Sequence, residues 1–157
     1  MNRKIFAILS LAIVAVVCMG TASALDLGSL FGGEDAAGET QNVTIDGINF
    51  TIPSSFEENK SMELVDAPME TIGIEYTVNE KTFADSKNIV SILVGDYGDY
   101  KMSDDVLELM GGEKTTINGI DGYLGQKDGF HTFTYSKDDK LVAIVSTSSE
   151  IIGDFLA

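Results

Sequence analysis

The stretch 114-KTTINGIDGYLGQKDGFHTFTYSKDDKLVAIVS-146 carries the reading of the fold. Asn118-Gly119 is the favoured two-residue hairpin turn, because both residues accept positive φ. Lys127-Asp128-Gly129 and Lys137-Asp138-Asp139-Lys140 mark two further reversals. Between these turns lie Lys114–Ile117, Ile120–Gln126, Phe130–Tyr135 and Leu141–Ser146, and the last is apolar on both faces. Tight turns force antiparallel pairing, so this part predicts a meander of about four strands. Gly122 and Gly125 within the second strand predict bulges or a close backbone approach.

Working outward, Ser103 precedes Asp104–Met110 (DDVLELM), and Gly111-Gly112 follows. A capping residue, two acids in the first turn and a terminal glycine predict a short helix. Asn88–Val94 (NIVSILV) is apolar on both faces apart from Ser91, which predicts a central strand. Ile72, Ile74, Tyr76 and Val78 alternate with Gly73, Glu75, Thr77 and Asn79, as in a strand with one wet face. Val43, Ile45, Ile48, Phe50 and Ile52 flank Asp46-Gly47, which is either a hairpin or one bulged strand. Ser54 and Ser55, each three residues before a glutamate (Glu57, Glu58), resemble a capping box for a short helix. Thr147-Ser148-Ser149-Glu150 repeats that pattern ahead of a terminal helix. The polar segment Asn59–Met69 reads as a loop. The expected class is α+β, a largely antiparallel sheet packed by two or three short helices.

The opening of the 157-residue chain has a different character. Arg3 and Lys4 precede an apolar run from Ile5 to Val17, and Thr21-Ala22-Ser23-Ala24 supplies small residues in an A-x-A pattern. That order is the secretory one, with cleavage expected after Ala24. Two alternatives stay open. The uncharged stretch Ile5–Leu25 is long enough for an uncleaved anchor. Cys18 could be lipidated, although Val17 fits poorly before an acylated cysteine. Residues 25–41 are rich in glycine and acid and read as a flexible tether, with one folded domain over 42–157.

Two of the ten basic residues precede Ala24 and all 25 acids follow it, so the mature chain carries −17 and no arginine. That argues against nucleic-acid binding, which needs lysine and arginine on one face. Cleavage would also remove Cys18, the single cysteine, leaving neither a disulfide nor a thiolate metal site.

Several residues are candidates for function. Asn42, Asn49 and Asn59 each begin an N-x-[ST] sequon, a glycan acceptor in an exported chain. Asp96, Asp99, Asp104 and Asp105 crowd ten residues around a turn and a helix start, where a hard cation such as calcium finds oxygens. Their spacing does not match a known calcium loop, and the helix dipole already explains the last two. His131 is the sole histidine, on a strand face with Phe133 and Tyr135. It lacks the companions of a zinc site or a general base, and reads as a packed or half-exposed strand residue. Tyr76, Tyr97, Tyr100, Tyr123 and Tyr135, with Met62, Met69, Met102 and Met110, furnish either a recognition surface or core. The H-E-x-x-H, G-x-S-x-G, S-x-x-K and phosphate-loop signatures do not occur.

The "GINFTIPSSFEE" opening and the "TTINGIDGYLGQ…FTYSKDDKLVAIVSTSSEII" close resemble, in layout, the PsbP-like and DcrB-like exported domains. The chain is also similar to small exported proteins of methanogenic archaea. The resemblance implies an accessory or binding module rather than an enzyme and carries over no functional residue; no cofactor is expected apart from calcium at the aspartates named above. The expected role is secreted or cell-surface binding of an envelope protein or wall component; the alternatives are a small hydrolase working through carboxylates and an acidic cation-binding module. Contact with the membrane would come only through a retained leader or a lipid.

Overall fold

The structure, a computed structural model, describes residues 40–71 and 73–156. The leader, the Ala24 cleavage point, Cys18 and residues 25–39 of the tether lie outside the described residues. The strands are β1 (Thr40–Ile45), β2 (Ile48–Pro53), β3 (Glu57–Glu58), β4 (Leu64–Thr71), β5 (Ile74–Ala84), β6 (Ile89–Asp96), β7 (Glu113–Ile117), β8 (Ile120–Lys127), β9 (Phe130–Lys137) and β10 (Lys140–Ser146). One α-helix, α1 (Asp104–Met110), joins β6 to β7, and 3₁₀ turns span Lys60–Met62 and Ile152–Phe155.

β1 and β2 form a hairpin of their own. The other eight strands make one sheet in the order β3-β5-β6-β10-β9-β8-β7, with β4 paired to β5. Every pairing is antiparallel. Turn chemistry sets the registers. Asp46-Gly47, Asn118-Gly119 and Asp128-Gly129 all have positive φ, as the expected hairpin turns require. Asp138 and Asp139 adopt the same left-handed region without a glycine. Gly122 is a close approach: a Cβ there would lie 2.5 Å from the Thr134 carbonyl oxygen and 2.7 Å from the Phe133 ring.

Strand alternation divides the core in two. On one face Phe83, Val90, Ile92, Val94, Phe133, Val142 and Ile144 pack against Ile45, Ile48, Phe50 and Ile52 of the hairpin, and against Ile152 and Phe155 of the last turn. Phe155 meets Phe56 edge-on at 4.9 Å between ring centroids. On the other face Tyr76, Val78, Leu93, Leu141, Ala143 and Tyr123 pack with Tyr97, Met102 and Leu107. β6 and β10 are buried on both faces, which makes them the centre of the sheet.

The α+β expectation is corrected to a largely β fold. Among the described residues strands hold 59% against 12% in helical turns, and α1 is the one helix of seven or more residues there. Two of the three helix signals start no α-helix. At Ser54-Ser55 the chain makes a turn, with the Phe56 amide bonded to the Pro53 carbonyl, and Glu57–Glu58 enter a strand against Ala84 and Phe83. Thr147–Glu150 leads only into a 3₁₀ turn, with Asp154 bonded back to Ile151 and Leu156 back to Gly153. The expected loop over Asn59–Met69 holds most of edge strand β4. Pro68 and a bulge between Leu64 and Ala67 interrupt its pattern, features tolerated on a sheet edge.

Candidate functional site

An open groove of about 550 Å³ lies where the β4–β5 hairpin meets the end of β6. Pro68, Met69 and Tyr76 give it apolar wall, and Glu70, Glu75 and Asp96 give it acid. Tyr76 is held in place: its ring stacks on Tyr97 at 4.5 Å and 13°, and its hydroxyl lies 3.3 Å from Thr71 Oγ1. The Tyr97 hydroxyl is buried without a hydrogen-bond partner among the described residues, and burial pushes its pKa up. Glu70 and Glu75 are paired directly across the two strands. Like charges in that position repel and destabilise a sheet. Neither makes an ion pair among the described residues. Asp96 differs, because Lys140 reaches both Asp96 (3.3 Å) and Asp46 (2.7 Å). Burial alone would lower the Lys140 pKa, and the two carboxylates outweigh it and raise it.

The four aspartates of the expected cation loop are not brought together. Asp96 accepts from the Gly98 amide and faces Lys140. Asp104 pairs with Lys114 at 2.7 Å, which holds its carboxyl below the ordinary range. Asp99 and Asp105 are exposed. Among the described residues no three His, Cys, Asp or Glu side chains are grouped to hold a metal. His131 is half-buried on β9, between Gln126 and Ser146 in register. Of the tyrosines only Tyr100 is exposed; Tyr76, Tyr97, Tyr123 and Tyr135 belong to the core, as does Met102.

One titratable group escaped the sequence reading. Glu80 sits in the middle of β5 with Leu93 on one side and Leu64 on the other, and is 5% exposed. Burial raises its pKa from 4.5 to about 7, against the opposing effect of a hydrogen bond with Ser91. Ser91 also bonds Thr82 at 2.7 Å, so three polar residues share one patch of an otherwise apolar face. A carboxyl with a pKa near 7 suits proton transfer. Glu80 does not line the groove, however, and its neighbours in register are leucines.

The sequons are placed unequally. Asn42 and Asn49 are exposed on the hairpin, whereas Asn59 is half-buried and caps the first 3₁₀ turn through its side-chain oxygen. Among the described residues no helix is long and apolar enough to cross a membrane. Comparison with known proteins finds no family model, no curated protein and no solved structure that matches this chain.

Proposed function

We propose that this chain is an exported, non-enzymatic module of the cell envelope or extracellular space, and that its groove binds a cationic segment of an envelope protein. The facing pair Glu70–Glu75 carries the reading. Two carboxylates held opposite one another raise the energy of the empty groove, and a lysine or arginine placed between them relieves it. Pro68, on the same face as Glu70 and Glu75, offers the aliphatic stem of such a side chain an apolar surface. The negative field of the mature chain would speed the encounter at low salt.

Titration with a fluorescent oligolysine peptide tests this. Saturable binding is expected, weakened by salt and lost in Glu70→Lys/Glu75→Lys. The control Asp105→Lys/Glu108→Lys makes the same charge change on α1 and should leave binding intact. Equal loss in both variants would reduce the effect to overall acidity and refute the groove. Millimolar calcium serves as a second titrant: a rise in melting midpoint that Glu70→Lys/Glu75→Lys removes would assign the groove to a metal ion instead.

A further inference from the structure

The β1–β2 hairpin interlocks two sequons. Alternation sends Ile45, Ile48, Phe50 and Ile52 into the core and leaves Asn42, Thr44, Asn49 and Thr51 on the outer side. The register sets Asn42 opposite Thr51, and Thr44 opposite Asn49. Each asparagine therefore has two threonines beside it: that of its own sequon, two residues along, and that of the other sequon, directly across. Thr44 donates its hydroxyl to the Asn49 amide oxygen at 2.7 Å. That bond engages the oxygen and leaves the Asn49 Nδ2 hydrogens without a partner among the described residues.

A second observation concerns charge. The twelve residues of these strands (TQNVTI and INFTIP) include no charged side chain, in a chain with 25 acids and 10 bases. Exposed strand pairs ordinarily guard their edges with charge. This hairpin lacks that guard, and a hydrophilic polymer on its outer face would supply one. The third sequon asparagine differs in its setting: Asn59 is half-buried, and its Oδ1 accepts from both the amide and the hydroxyl of Ser61 as the cap of the first 3₁₀ turn.

The geometry points to the outer face of this hairpin as an N-glycan acceptor surface, with Asn42 and Asn49 taking oligosaccharide from a polyprenyl-phosphate-linked donor. Transfer forms a bond from the asparagine Nδ2 to the anomeric carbon of the first sugar. It breaks the bond between that carbon and the carrier's phosphate oxygen, releases the lipid phosphate, and passes one amide proton to a carboxylate of the transferase. The inference rests on the export reading, since lipid-linked donors are used outside the cytoplasm.

Intact-mass and peptide-level mass spectrometry of the full chain from its native cells separates the two. The expected result is a chain cleaved after Ala24, or retained in the membrane by its leader, with sugar mass on the Asn42 or Asn49 peptide. That mass should vanish in Asn42→Gln/Asn49→Gln. Sugar on Asn42 should be lost in Thr44→Ala and kept in Thr44→Ser, because only the hydroxyl completes the sequon. An exported chain bare at both hairpin asparagines, whether or not Asn59 carries sugar, would overturn the proposal and leave export standing. A bare chain beginning at Met1 in the cytosol would overturn both.

Discussion

Replacing Glu80 with glutamine should make the protein more stable at alkaline pH and flatten its pH dependence. The folded pKa of about 7 lies above the unfolded value of 4.5, so the native state holds the proton more tightly than the unfolded chain does. The stabilisation this gives is complete below pH 4.5, falls as pH rises, and is gone above about 7. Its full span is about 3 kcal/mol, because each tenfold gain in proton affinity is worth about 1.4 kcal/mol. Between pH 5 and pH 8 the wild type should lose about 2–3 kcal/mol through this residue alone. For a domain of this size that corresponds to a fall of roughly 10 °C in melting midpoint. Glutamine keeps the shape and the hydrogen bond to Ser91 and carries no proton to lose. The assay is thermal unfolding of wild type and Glu80→Gln at several pH values from 4 to 9. Taking the difference between the two removes what the other 24 acids contribute. Two curves that stay parallel across this range would refute the argument, because Glu80 would then titrate alike in the folded and unfolded chain.

Two further substitutions test the packing. Gly122→Ala should cost about 1–3 kcal/mol in urea unfolding, because its Cβ meets the Thr134 carbonyl and the Phe133 ring. Gly125→Ala, with only the Gly112 Cα at 3.8 Å, should be near neutral, and equal costs would refute the close approach. Lys81 bridges Glu58 and Glu63, joining β5 to β3 and the loop before β4. Lys81→Met keeps the stem, leaves both carboxylates unpaired, and should cost about 1–2 kcal/mol. The loss should shrink at high salt, and a salt-independent loss would point to packing instead.

Turn residues make much of the topology legible. Asp46-Gly47, Asn118-Gly119 and Asp128-Gly129 mark three of the hairpins, and the doubly apolar NIVSILV and LVAIVS belong to the two central strands. The second half of β5 is hidden for a physical reason. Asn79-Glu80-Lys81 looks like a break, yet each side chain finds a remote partner: Asp66 for Asn79, Ser91 for Glu80, and Glu58 with Glu63 for Lys81. Those partners come from other strands or from the loop before β4, so no local pattern reveals them. The helix signals mislead because a Ser-x-x-Glu spacing marks only that a turn can start. Neither Ser54–Glu58 nor Thr147–Glu150 is followed by an apolar stripe long enough to stabilise a helix. The groove acids are individually visible in sequence, but their confrontation depends on the β4–β5 register.

β10 lies between β6 and β9, so the tenth strand along the chain sits in the middle of the sheet. Any machinery that handles this polypeptide from its N-terminus, a ribosome or a protein-conducting channel, delivers that keystone after the nine others. Until Leu141–Ser146 arrives, β5–β6 and β7–β9 are two half-sheets, each with an open hydrogen-bonding edge. The molecule cannot close early. During that interval the open edges of the half-sheets risk wrong pairing with a neighbour.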